Sequence, residues 1–512
     1  MEKSYVIGVD IGTSGTKGVL CGASGRVYAE ALVEYGLSTP NAVWAEQDAA
    51  CYMNAAVNVI SKIVKQSGIE TTKICSMCIS GLYGGSGIPL DDNMEPLHPC
   101  IIWMDRRAEA ECDQVRQNIG LDELFSVTAN GIDPYFGYTK LLWIKNNLPD
   151  IWRRTKLFLA PNQFVIYKLT GEAVIDYTSA GNLGGIYDMR NHCWADSMIE
   201  KLGLSKDKLP SRIIRPQDVA GKLTKEAAAA LGLWEGMPVC AGCIDCLAST
   251  LATGVLESGQ HVAIVSTSIN WGVIHSDFPT NPSYVSMPYS KSPESMIYTY
   301  GGASTAGALL RWFRDDIVPF YKGESGEAVP TTYQDMDKLA ESIKPGSDGL
   351  IVLPYFMGER SPIWDVNARG TIFGLTLRHT NVHIYRALLE SVAYSLRHIM
   401  EDSNMAVSDN TNCVLIGGAS RSGLWRQIIA DVTGVPVVYS LETVEAPLGD
   451  ALIAAVSSGC VSDFKEIKEW IKFENTVQPI PENHERYTKL FSIYKKLYIS
   501  LKENMHELAA LQ

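Results

Sequence analysis

The sequence is poor in basic residues and contains no long hydrophobic run. Its 512 residues include 44 lysines and arginines against 57 aspartates and glutamates, which gives a formal net charge of −13. Nucleic acids and anionic membranes are held by clustered lysine and arginine, so neither is expected as a partner. The opening residues MEKSYVIGVDIG lack the basic, apolar and small-residue segments of a secretion signal. We therefore expect a soluble, cytoplasmic protein.

Two familiar phosphate-binding motifs are also missing from the first glycine-rich turn, GTSGT at residues 12–16. The Walker pattern GxxxxGK[ST] is absent, and so is the GxGxxG of dinucleotide-binding proteins. A strand candidate follows the turn, where GxGxxG would require a helix. A phosphate bound here would have to be held by a β-hairpin turn.

The twelve cysteines do not follow a metal-binding pattern. The suggestive spacings are Cys75 with Cys78, and Cys240, Cys243 and Cys246 in series. A zinc ribbon needs two such pairs flanking turns, whereas these cysteines lie in apolar or strand-like segments, where small thiols are ordinary core residues. A metal or redox protein is kept only as a third alternative.

The length and the order of the elements indicate an α/β protein with two domains. With 46% apolar residues, the chain exceeds what one hydrophobic core usually supports. The strand candidate Tyr5–Ile11 is followed by the GTSGT turn and a second strand candidate, and the same hairpin pattern returns at residues 261–274. This repeat favours two similar domains, each presenting a hairpin turn.

Strand and helix candidates alternate in both halves, which is typical of the α/β class. We place the boundary just after the strand candidate PVCAGCID, which ends at Asp245, and predict domains over residues 1–246 and 247–512. Helical periodicity is found at residues 48–66, 303–314, 383–401 and 481–511, and strand-like runs at residues 74–79 and 413–416.

Asp10 ends an apolar strand candidate, where its carboxylate is short of water and needs a partner. The turn residues Gly12, Thr13 and Ser14 offer backbone N–H groups and hydroxyls with little bulk, as a polyphosphate requires. Mg²⁺ is held well by one carboxylate with waters and phosphate oxygens. The pattern predicts a magnesium and phosphate site, although an ordinary tight turn would use the same residues.

Asp245 follows an apolar strand candidate and precedes the helix start CLASTLATG. Open α/β sheets bind ligands at the carboxyl ends of their strands. A carboxylate placed there can accept the proton of a hydroxyl that attacks a γ-phosphate. The structural alternative is a helix N-cap, for which aspartate is favoured.

The run CVLIGGAS, residues 413–420, predicts a buried strand that leads into Gly417 and Gly418 and then a helix. Glycines at this point let a flat base or a ribose approach the backbone. Helix-entry loops also use glycine for conformational reasons alone.

Five blocks in order resemble the FGGY family of carbohydrate kinases, over nearly the whole chain. VIGVDIGTSGTKGVL is similar to the family's phosphate-binding opening, and KLLWIKNN to the core of its first signature. GTIFGL with HIYRALLE, between residues 370 and 390, is similar to the second signature. The remaining blocks are LPYFMGERSPIWDVNARG and GGASRSGLWRQIIADVTGVPV.

This resemblance implies an ATP-dependent sugar kinase with two RNase-H-like domains, of the actin and hexokinase type, that close over ATP and sugar. It implies Asp245 as the base that activates a sugar hydroxyl, Asp10 as the magnesium ligand, and ATP and Mg²⁺ as cofactors. The residues implied in nucleotide binding are Gly12, Thr13, Ser14, Lys17, Thr267, Gly307, Gly417, Gly418 and Ala419.

The resemblance does not identify the sugar. Xylulokinases carry Gln-Met-His-Gly where this chain has Leu82, Tyr83, Gly84 and Gly85, whereas WMDRR at residues 103–107 is closer to glycerol kinases. A ketopentose is expected first, with gluconate, a tetrulose or another polyol as alternatives. The expected substrate contacts are Tyr83, Trp103, Asp105, Arg106 and Tyr135.

A catalytically silent, sugar-binding regulator on the same fold is an alternative of another class. The presence of Asp10 and Asp245 favours an enzyme. Pro447 and Asp450 depart from the family pattern, and neither is expected to touch the chemistry. The oligomeric state is left open, a homodimer included.

Overall fold

The computed structural model describes residues 4–317, 332–405, 407, 411–441 and 445–511. Packing divides the chain into two compact units, each assembled from separate stretches. The predicted boundary between residues 246 and 247 stays a prediction. The first unit consists of Met1–Leu256, Ser276–Tyr298 and Val444–Ile471, and the second of Glu257–His275, Thr299–Thr443 and Lys472–Gln512.

Strands and helices alternate along both units, as the α/β pattern predicts. The strands are β1 (Tyr5–Ile11), β2 (Gly15–Gly22), β3 (Val27–Glu34), β4 (Glu46–Gln47), β5 (Ile74–Gly81), β6 (Ile88–Leu90), β7 (Cys100–Ile101), β8 (Leu157–Leu159), β9 (Ile175–Asp176), β10 (Tyr187–Asp188), β11 (Cys193–Trp194), β12 (Ile213–Ile214), β13 (Val219–Lys222), β14 (Pro238–Cys240), β15 (His261–Val265), β16 (Ile269–His275), β17 (Val285–Pro288), β18 (Ile297–Ala303), β19 (Ile351–Leu353), β20 (Thr371–Phe373), β21 (Cys413–Ile416) and β22 (Val437–Tyr439).

The helices are α1 (Ala49–Ser67), α2 (Glu109–Asn118), α3 (Leu121–Thr128), α4 (Gly137–Asn147), α5 (Pro149–Arg154), α6 (Pro161–Thr170), α7 (Tyr177–Asn182), α8 (Asp196–Lys201), α9 (Lys225–Leu231), α10 (Asp245–Ala252), α11 (Gly307–Trp312), α12 (Tyr333–Ala340), α13 (Asn381–Asp402), α14 (Gly423–Thr433), α15 (Ala446–Ser457), α16 (Ile467–Trp470) and α17 (Pro481–Ala510). Within the described ranges, none of them combines the length and the apolar character needed to cross a bilayer.

The main sheet of the first unit has the strand order β13-β14-β5-β1-β2-β3. β1 and β2 form the predicted hairpin, and β3 continues it antiparallel. On its other edge β1 pairs parallel with β5, which pairs parallel with β14. The carboxyl ends of β1, β5 and β14 therefore meet at one edge of the sheet, where α/β proteins bind ligands.

The main sheet of the second unit repeats this arrangement. Its strands lie in the order β18-β16-β15-β21-β22. β15 and β16 form the second predicted hairpin, and β15 pairs parallel with β21, which pairs parallel with β22. The α/β class and the two similar domains expected from the sequence are confirmed.

Helices cover both faces of the first sheet, and two glycines let them approach closely. A Cβ on Gly8 of β1 would lie 2.0 Å from the carbonyl oxygen of Pro447 in α15. A Cβ on Gly18 would lie 2.5 Å from Val59 of α1. Gly18 is paired with Val9, the neighbour of Gly8 in β1, and successive residues of a strand point to opposite faces. α1 and α15 therefore lie on opposite faces, and Asp10 shares the α15 face with Gly8.

α15 also packs directly on α10. A Cβ on Gly449 would lie 2.0 Å from the carbonyl oxygen of Ala248, so the two helices are in main-chain contact. α15 thus contacts β1, which carries Asp10, and α10, which begins at Asp245.

The strand predicted to run to Asp245 is shorter than expected, because β14 ends at Cys240. Gly242 has φ +75°, and a Cβ there would lie 1.9 Å from the carbonyl oxygen of Ile79. The left-handed conformation ends the strand. Asp245 is instead the first residue of α10.

Candidate active site

Asp10 lies at the carboxyl end of β1, opposite Lys17 of β2 and Ser80 of β5. Its Oδ1 accepts a hydrogen bond from the Ser80 hydroxyl at 3.3 Å. Burial, together with the nearby Asp245 carboxylate, raises the pKa of Asp10 to about 8. A buried carboxylate whose pKa is raised by a second, nearby carboxylate favours a bound cation.

A second carboxylate, that of Asp450, lies behind Asp10. It is completely buried on α15, and its Oδ2 accepts a hydrogen bond from the Ser80 hydroxyl at 2.6 Å. The Cys78 thiol donates to its Oδ1 at 3.6 Å. Burial raises the pKa of Asp450 well above its usual value. Asp450 was not expected to touch the chemistry, which stays a prediction; the structure places it one hydroxyl away from Asp10.

Asp245 is held at the same edge of the sheet by the segment after β14. The Gly81 N–H donates to the carbonyl of Cys243 at 3.1 Å, so this segment continues beside the end of β5. Oδ1 of Asp245 accepts a hydrogen bond from the N–H of Cys246 at 2.6 Å. The N-cap of α10 is Ile244, not Asp245. The N-cap explanation of Asp245 therefore does not apply.

The Asp245 side chain is suited to accept a proton near neutral pH. Although the residue is partly exposed, its carboxylate is largely withdrawn from water, and this burial raises its pKa to about 6. A base works best when its pKa lies close to the working pH, because it is then both deprotonated and sufficiently basic.

The turn after β1 is fixed by side chains from three other segments. The Tyr35 hydroxyl donates to the carbonyl of Gly12 at 2.6 Å, and Gln47 Nε2 donates to the carbonyl of Thr13 at 2.5 Å. The indole N–H of Trp103 donates to the Thr13 hydroxyl at 3.1 Å. A residue predicted to meet phosphate and one predicted to meet sugar are thus in direct contact.

Lys17, another residue predicted to bind nucleotide, forms an ion pair across the same edge. Its Nζ lies 2.8 Å from Oε2 of Glu445, just before α15, and both side chains are partly exposed. Ser14 is exposed at the tip of the turn.

Trp103 and Tyr135 meet at the loop after β5. A Cβ on Gly84, whose φ is +78°, would lie 3.0 Å from Cβ of Trp103 and 2.9 Å from Cζ of Tyr135. The Asn182 amide donates to the Tyr135 hydroxyl at 3.3 Å. Because Gly84 has no side chain, Trp103 and Tyr135, the two predicted sugar contacts, can both pack against its backbone.

Arg106 is anchored to the same loops. Its two terminal nitrogens donate to the two carboxylate oxygens of Asp133 at 2.6 and 3.0 Å. Asp133 Oδ1 also accepts the N–H of Tyr135 at 2.7 Å. One carboxylate therefore positions both predicted substrate contacts.

Two predicted substrate contacts are buried. Asp105 is completely buried, accepts the N–H of Ala45 at 2.6 Å, and pairs with Arg107 at 2.7 Å. Arg107 in turn stacks on Trp44, with 3.8 Å between its Cζ and the ring centroid. Tyr83 is only 6% exposed. The structure does not place these two side chains in the partly exposed cluster formed by Trp103, Arg106 and Tyr135.

The second unit contains a cavity of about 570 Å³. It brings together three residues predicted to bind nucleotide: Thr267 after β15, Gly307 at the start of α11, and Gly418 after β21. Gly417 beside them is exposed with φ +94°, and a Cβ there would lie 2.6 Å from the carbonyl oxygen of Val265. Ala419 is completely buried.

Sequence reasoning did not find the other wall of this cavity. The Tyr385 hydroxyl donates to Oδ1 of Asp337 at 2.7 Å, which joins α13 to α12. No motif marks Asp337 or Tyr333 on α12. Trp425 follows the Gly417-Gly418 pair by only a few residues, so its position in the sequence could have suggested it as a cavity residue. The missed lining residues include Arg311, Tyr333, Asp337, Tyr385, Arg421 and Trp425.

Comparison with known proteins matches both halves to one family. Residues 5–252 match the N-terminal domain of the FGGY family of carbohydrate kinases, and residues 265–458 match its C-terminal domain. The chain belongs to the FGGY family of carbohydrate kinases. FGGY kinases use ATP as phosphate donor, so the predicted carbohydrate kinase and its nucleotide are confirmed at the level of the family.

Relatives of this FGGY kinase match it end to end. It is 29% identical to the xylulose kinase of Bacillus subtilis, over 98% of this chain and 97% of the relative. It is 27% identical to the gluconokinase of the same organism, over 99% and 98%. The crystal structure of a ligand-bound xylulose kinase from Lactobacillus acidophilus matches with a TM-score of 0.89 and 26% identity, covering 99% of this chain and 100% of that one. Gluconate kinase from L. acidophilus matches with a TM-score of 0.88 and 27% identity, covering 97% and 98%.

The cysteines of this FGGY kinase are free thiols. Cys78, Cys240 and Cys243 are buried, and Cys75 and Cys246 are partly exposed. Over the part of the chain that the structure describes, no three or more histidine, cysteine, aspartate or glutamate side chains are grouped to hold a metal ion.

Proposed function

We propose that this kinase phosphorylates a hydroxyl of a neutral sugar, with a xylulose-like ketopentose as first candidate and a tetrulose or another polyol next. Family membership supports the reaction class. The choice of a neutral sugar rests on the charge pairs around the predicted sugar contacts. Gluconate, the substrate named for one group of relatives, is the alternative that these charges disfavour.

The observation that carries this choice is the pairing of Arg106 with Asp133. Arginine recognises a carboxylate best with two parallel N–H donors. Both terminal nitrogens of Arg106 already donate to Asp133. An aldonate would have to displace Asp133 and leave that carboxylate partly buried without its partner, which is costly.

Two lysines of the first unit are engaged as well. Lys17 is paired with Glu445. The amino group of Lys140 donates to backbone carbonyls. An added carboxylate would also be repelled by Asp10 and Asp245. A neutral polyol needs only hydrogen-bond partners, which the hydroxyl of Tyr135 and the amide of Asn182 can supply.

In the proposed reaction Asp245 accepts the proton of the sugar hydroxyl as the oxygen attacks the terminal phosphorus of ATP. The bond between that phosphorus and the β,γ-bridging oxygen breaks, and ADP leaves. Asp245 is held in place by the Cys246 N–H, and its raised pKa makes it a stronger proton acceptor than an exposed aspartate.

Asp10 fits the role of magnesium ligand. Mg²⁺ takes one or two carboxylates and otherwise waters and phosphate oxygens, and the pKa of Asp10 is raised by burial and by the neighbouring Asp245 carboxylate despite the nearby Lys17. When bound, Mg²⁺ would neutralise phosphate charge. Ser80 holds one oxygen of Asp10, which leaves the other for the ion.

The cavity of the second unit is proposed to hold the adenosine part of ATP. Gly417 and Gly418 present exposed backbone there. Trp425, Tyr333 and Tyr385 contribute aromatic rings to its wall, as suits a planar base. Thr267 and Gly307 lie in the same cavity, as expected of residues near the phosphates.

ADP release measured with equal concentrations of D-xylulose, L-xylulose, D-ribulose, erythrulose, glycerol and gluconate tests the proposal. The best neutral substrate should exceed gluconate in kcat/KM by about tenfold or more, equivalent to roughly 1.4 kcal/mol. An Asp133→Asn variant, which removes the charge that engages Arg106, should improve gluconate relative to the neutral sugar. A higher kcat/KM for gluconate in the wild type overturns the neutral-sugar proposal, and no turnover with any of the six removes the substrate assignment.

A further inference from the structure

Lys140 of α4 is a completely buried lysine. Its amino group donates to the carbonyl of Gly84 and to that of Tyr135, each at 2.9 Å, and also to the carbonyl of Pro134. An ammonium group has three donors and no acceptor, so the protonated side chain is fully used by these three carbonyls. None of the three partners is a carboxylate.

The carbonyls belong to two loops that carry predicted sugar contacts. Gly84 follows Tyr83 in the loop after β5, and Tyr135 precedes α4. The two loops are in close contact elsewhere as well, because a Cβ on Gly137 would lie 2.3 Å from the carbonyl oxygen of Gly85. Lys140 is therefore a polar link between two backbone segments that are also joined by close packing.

We propose that Lys140 is a positioning residue for sugar binding, whose ammonium group holds the loops at Gly84 and Tyr135 together so that Trp103 and Tyr135 keep the spacing that the sugar requires. It acts through the backbone and does not itself touch the sugar. The inference rests on the proposed function, because it takes these residues as the sugar-binding cluster.

The buried amino group has a second property, which is sensitivity to pH. Burial lowers the pKa of Lys140 to about 7, although the carboxylates of Asp105 and Asp133 act in the opposite direction. Arg106 adds a smaller lowering effect. Two further titratable neighbours are the thiols of Cys100 and Cys112, whose pKa values burial raises to about 12, so both stay neutral through the neutral range.

The direction in which pH changes sugar binding follows from the number of N–H donors on the Lys140 amino group. Below about pH 7 the ammonium group fills all three carbonyls. Above it the amine has one donor fewer and turns a lone pair toward the carbonyl oxygens. The loops should loosen, and the KM for sugar should rise, as the pH increases through 7.

Lys145 on the same helix offers a matched control. It also donates to a backbone carbonyl, that of Gly203 at 2.6 Å, but it is partly exposed and remote from the two loops. Both lysines can be replaced by methionine, which keeps most of the unbranched side chain and removes the charge. Only the change at position 140 should affect sugar binding.

The decisive experiment compares wild type, Lys140→Met and Lys145→Met with the sugar that the wild type turns over best. Lys140→Met should raise the KM for sugar by roughly tenfold to a hundredfold, with a kcat and an ADP affinity close to wild type. Its KM should no longer rise between pH 6 and 8.5, whereas wild type and Lys145→Met should both show the rise. An unchanged KM in Lys140→Met, or a wild-type KM that is flat across this range, overturns the proposal.

Hydrogen exchange without sugar separates this inference from the proposed substrate. Backbone amides of residues 82–87 and 133–137 should exchange faster in Lys140→Met than in Lys145→Met, measured at one pH. This comparison holds even if none of the tested sugars is phosphorylated. Equal exchange rates in the two variants would show that Lys140 does not hold the loops, whatever the substrate.

Discussion

The hydroxyl of Ser80 and the carboxylate of Asp450 lie 2.6 Å apart in the interior of the first unit. The contact joins the end of β5 to α15, and the same hydroxyl lies 3.3 Å from Asp10. Asp450 is completely buried, and it shares the Ser80 hydroxyl with the proposed magnesium ligand.

Replacing Asp450 with asparagine should make the stability of the enzyme less dependent on pH. Burial raises the pKa of Asp450 above its value in the unfolded chain, so the folded state binds its proton more tightly. The wild type then loses stability as the pH rises from about 4 toward the folded pKa, by up to about 1.4 kcal/mol per pH unit. Asparagine has no proton to lose, so the Tm of Asp450→Asn relative to wild type should increase between pH 5 and 8.

The exposed Asp207 provides the control, since Asp207→Asn should shift the Tm equally at both pH values. A Tm difference between Asp450→Asn and wild type that does not change with pH would contradict the assignment of a raised pKa to Asp450.

An Asp245→Asn variant should lose phosphoryl transfer while keeping its nucleotide site. Loss of a general base lowers kcat by about 10² to 10⁴. ADP affinity, measured by calorimetry, should stay near the wild-type value. A kcat within a few fold of wild type would exclude Asp245 as the base.

The wild-type pH profile tests the same base independently. Since burial raises the pKa of Asp245 to about 6, kcat/KM should rise with pH below about 6, and it should fall again above about 7 as the KM for sugar rises. The rise reflects loss of the proton that blocks the base. An ascending limb centred near pH 4, as for an exposed aspartate, would show that burial does not raise this pKa.

The glycine at position 418 gives a graded test of the nucleotide cavity. A Cβ there meets only the carbonyl oxygen of Val265, at 3.9 Å, so the backbone tolerates a side chain. Gly418→Ala should weaken ADP binding slightly, and Gly418→Leu by about tenfold or more, because the longer side chain occupies the cavity. Gly423→Ala, at an exposed glycine outside the cavity lining, is the control. Unchanged ADP affinity in Gly418→Leu would place the nucleotide elsewhere.

Substitution of Gly449 should lower stability and activity together. A Cβ there would lie 2.0 Å from the carbonyl oxygen of Ala248, so Gly449→Ala must push α10 and α15 apart. Overpacking of this kind costs about 1–3 kcal/mol, more than the roughly 1 kcal/mol that alanine gains over glycine in a helix. Gly36→Ala is the control, because nothing lies within 4 Å of that Cβ. A Gly449→Ala enzyme with wild-type Tm and kcat would contradict the close contact.

The local elements could be predicted from the sequence because their signals are local. α1 has an apolar face, an Asp48 side chain that accepts the N–H of Ala50, and Gly68 at its carboxyl end with φ +63°. Both hairpins follow from apolar runs separated by small turn residues. The placement of Asp10 and Asp245 at one edge of the sheet also follows from strand order, once the two strands are known to run parallel.

The remaining features of the site depend on contacts between distant parts of the sequence. Asp450 reaches Ser80 across 370 positions, and no local pattern reports that contact. Asp105 was predicted as a substrate contact within WMDRR, but its partner Arg107 and the Ala45 N–H hold it in the interior. The contacts of Lys140 could not be predicted from the sequence, where it stands only as part of a family signature. Its acceptors are backbone carbonyls, which every residue type has.

The main-chain contacts of α15 with β1 and α10 also limit which parts of such an enzyme can change when its substrate specificity changes. Side chains can switch rotamers or be exchanged one at a time, whereas backbone atoms in contact can move only if whole elements move. The spacing between Asp10 and Asp245 is therefore a fixed dimension of the scaffold. Adaptation to a different sugar has to occur in the segments around Gly84, Trp103 and Tyr135, so the substrate can diverge while the geometry of phosphoryl transfer is inherited unchanged.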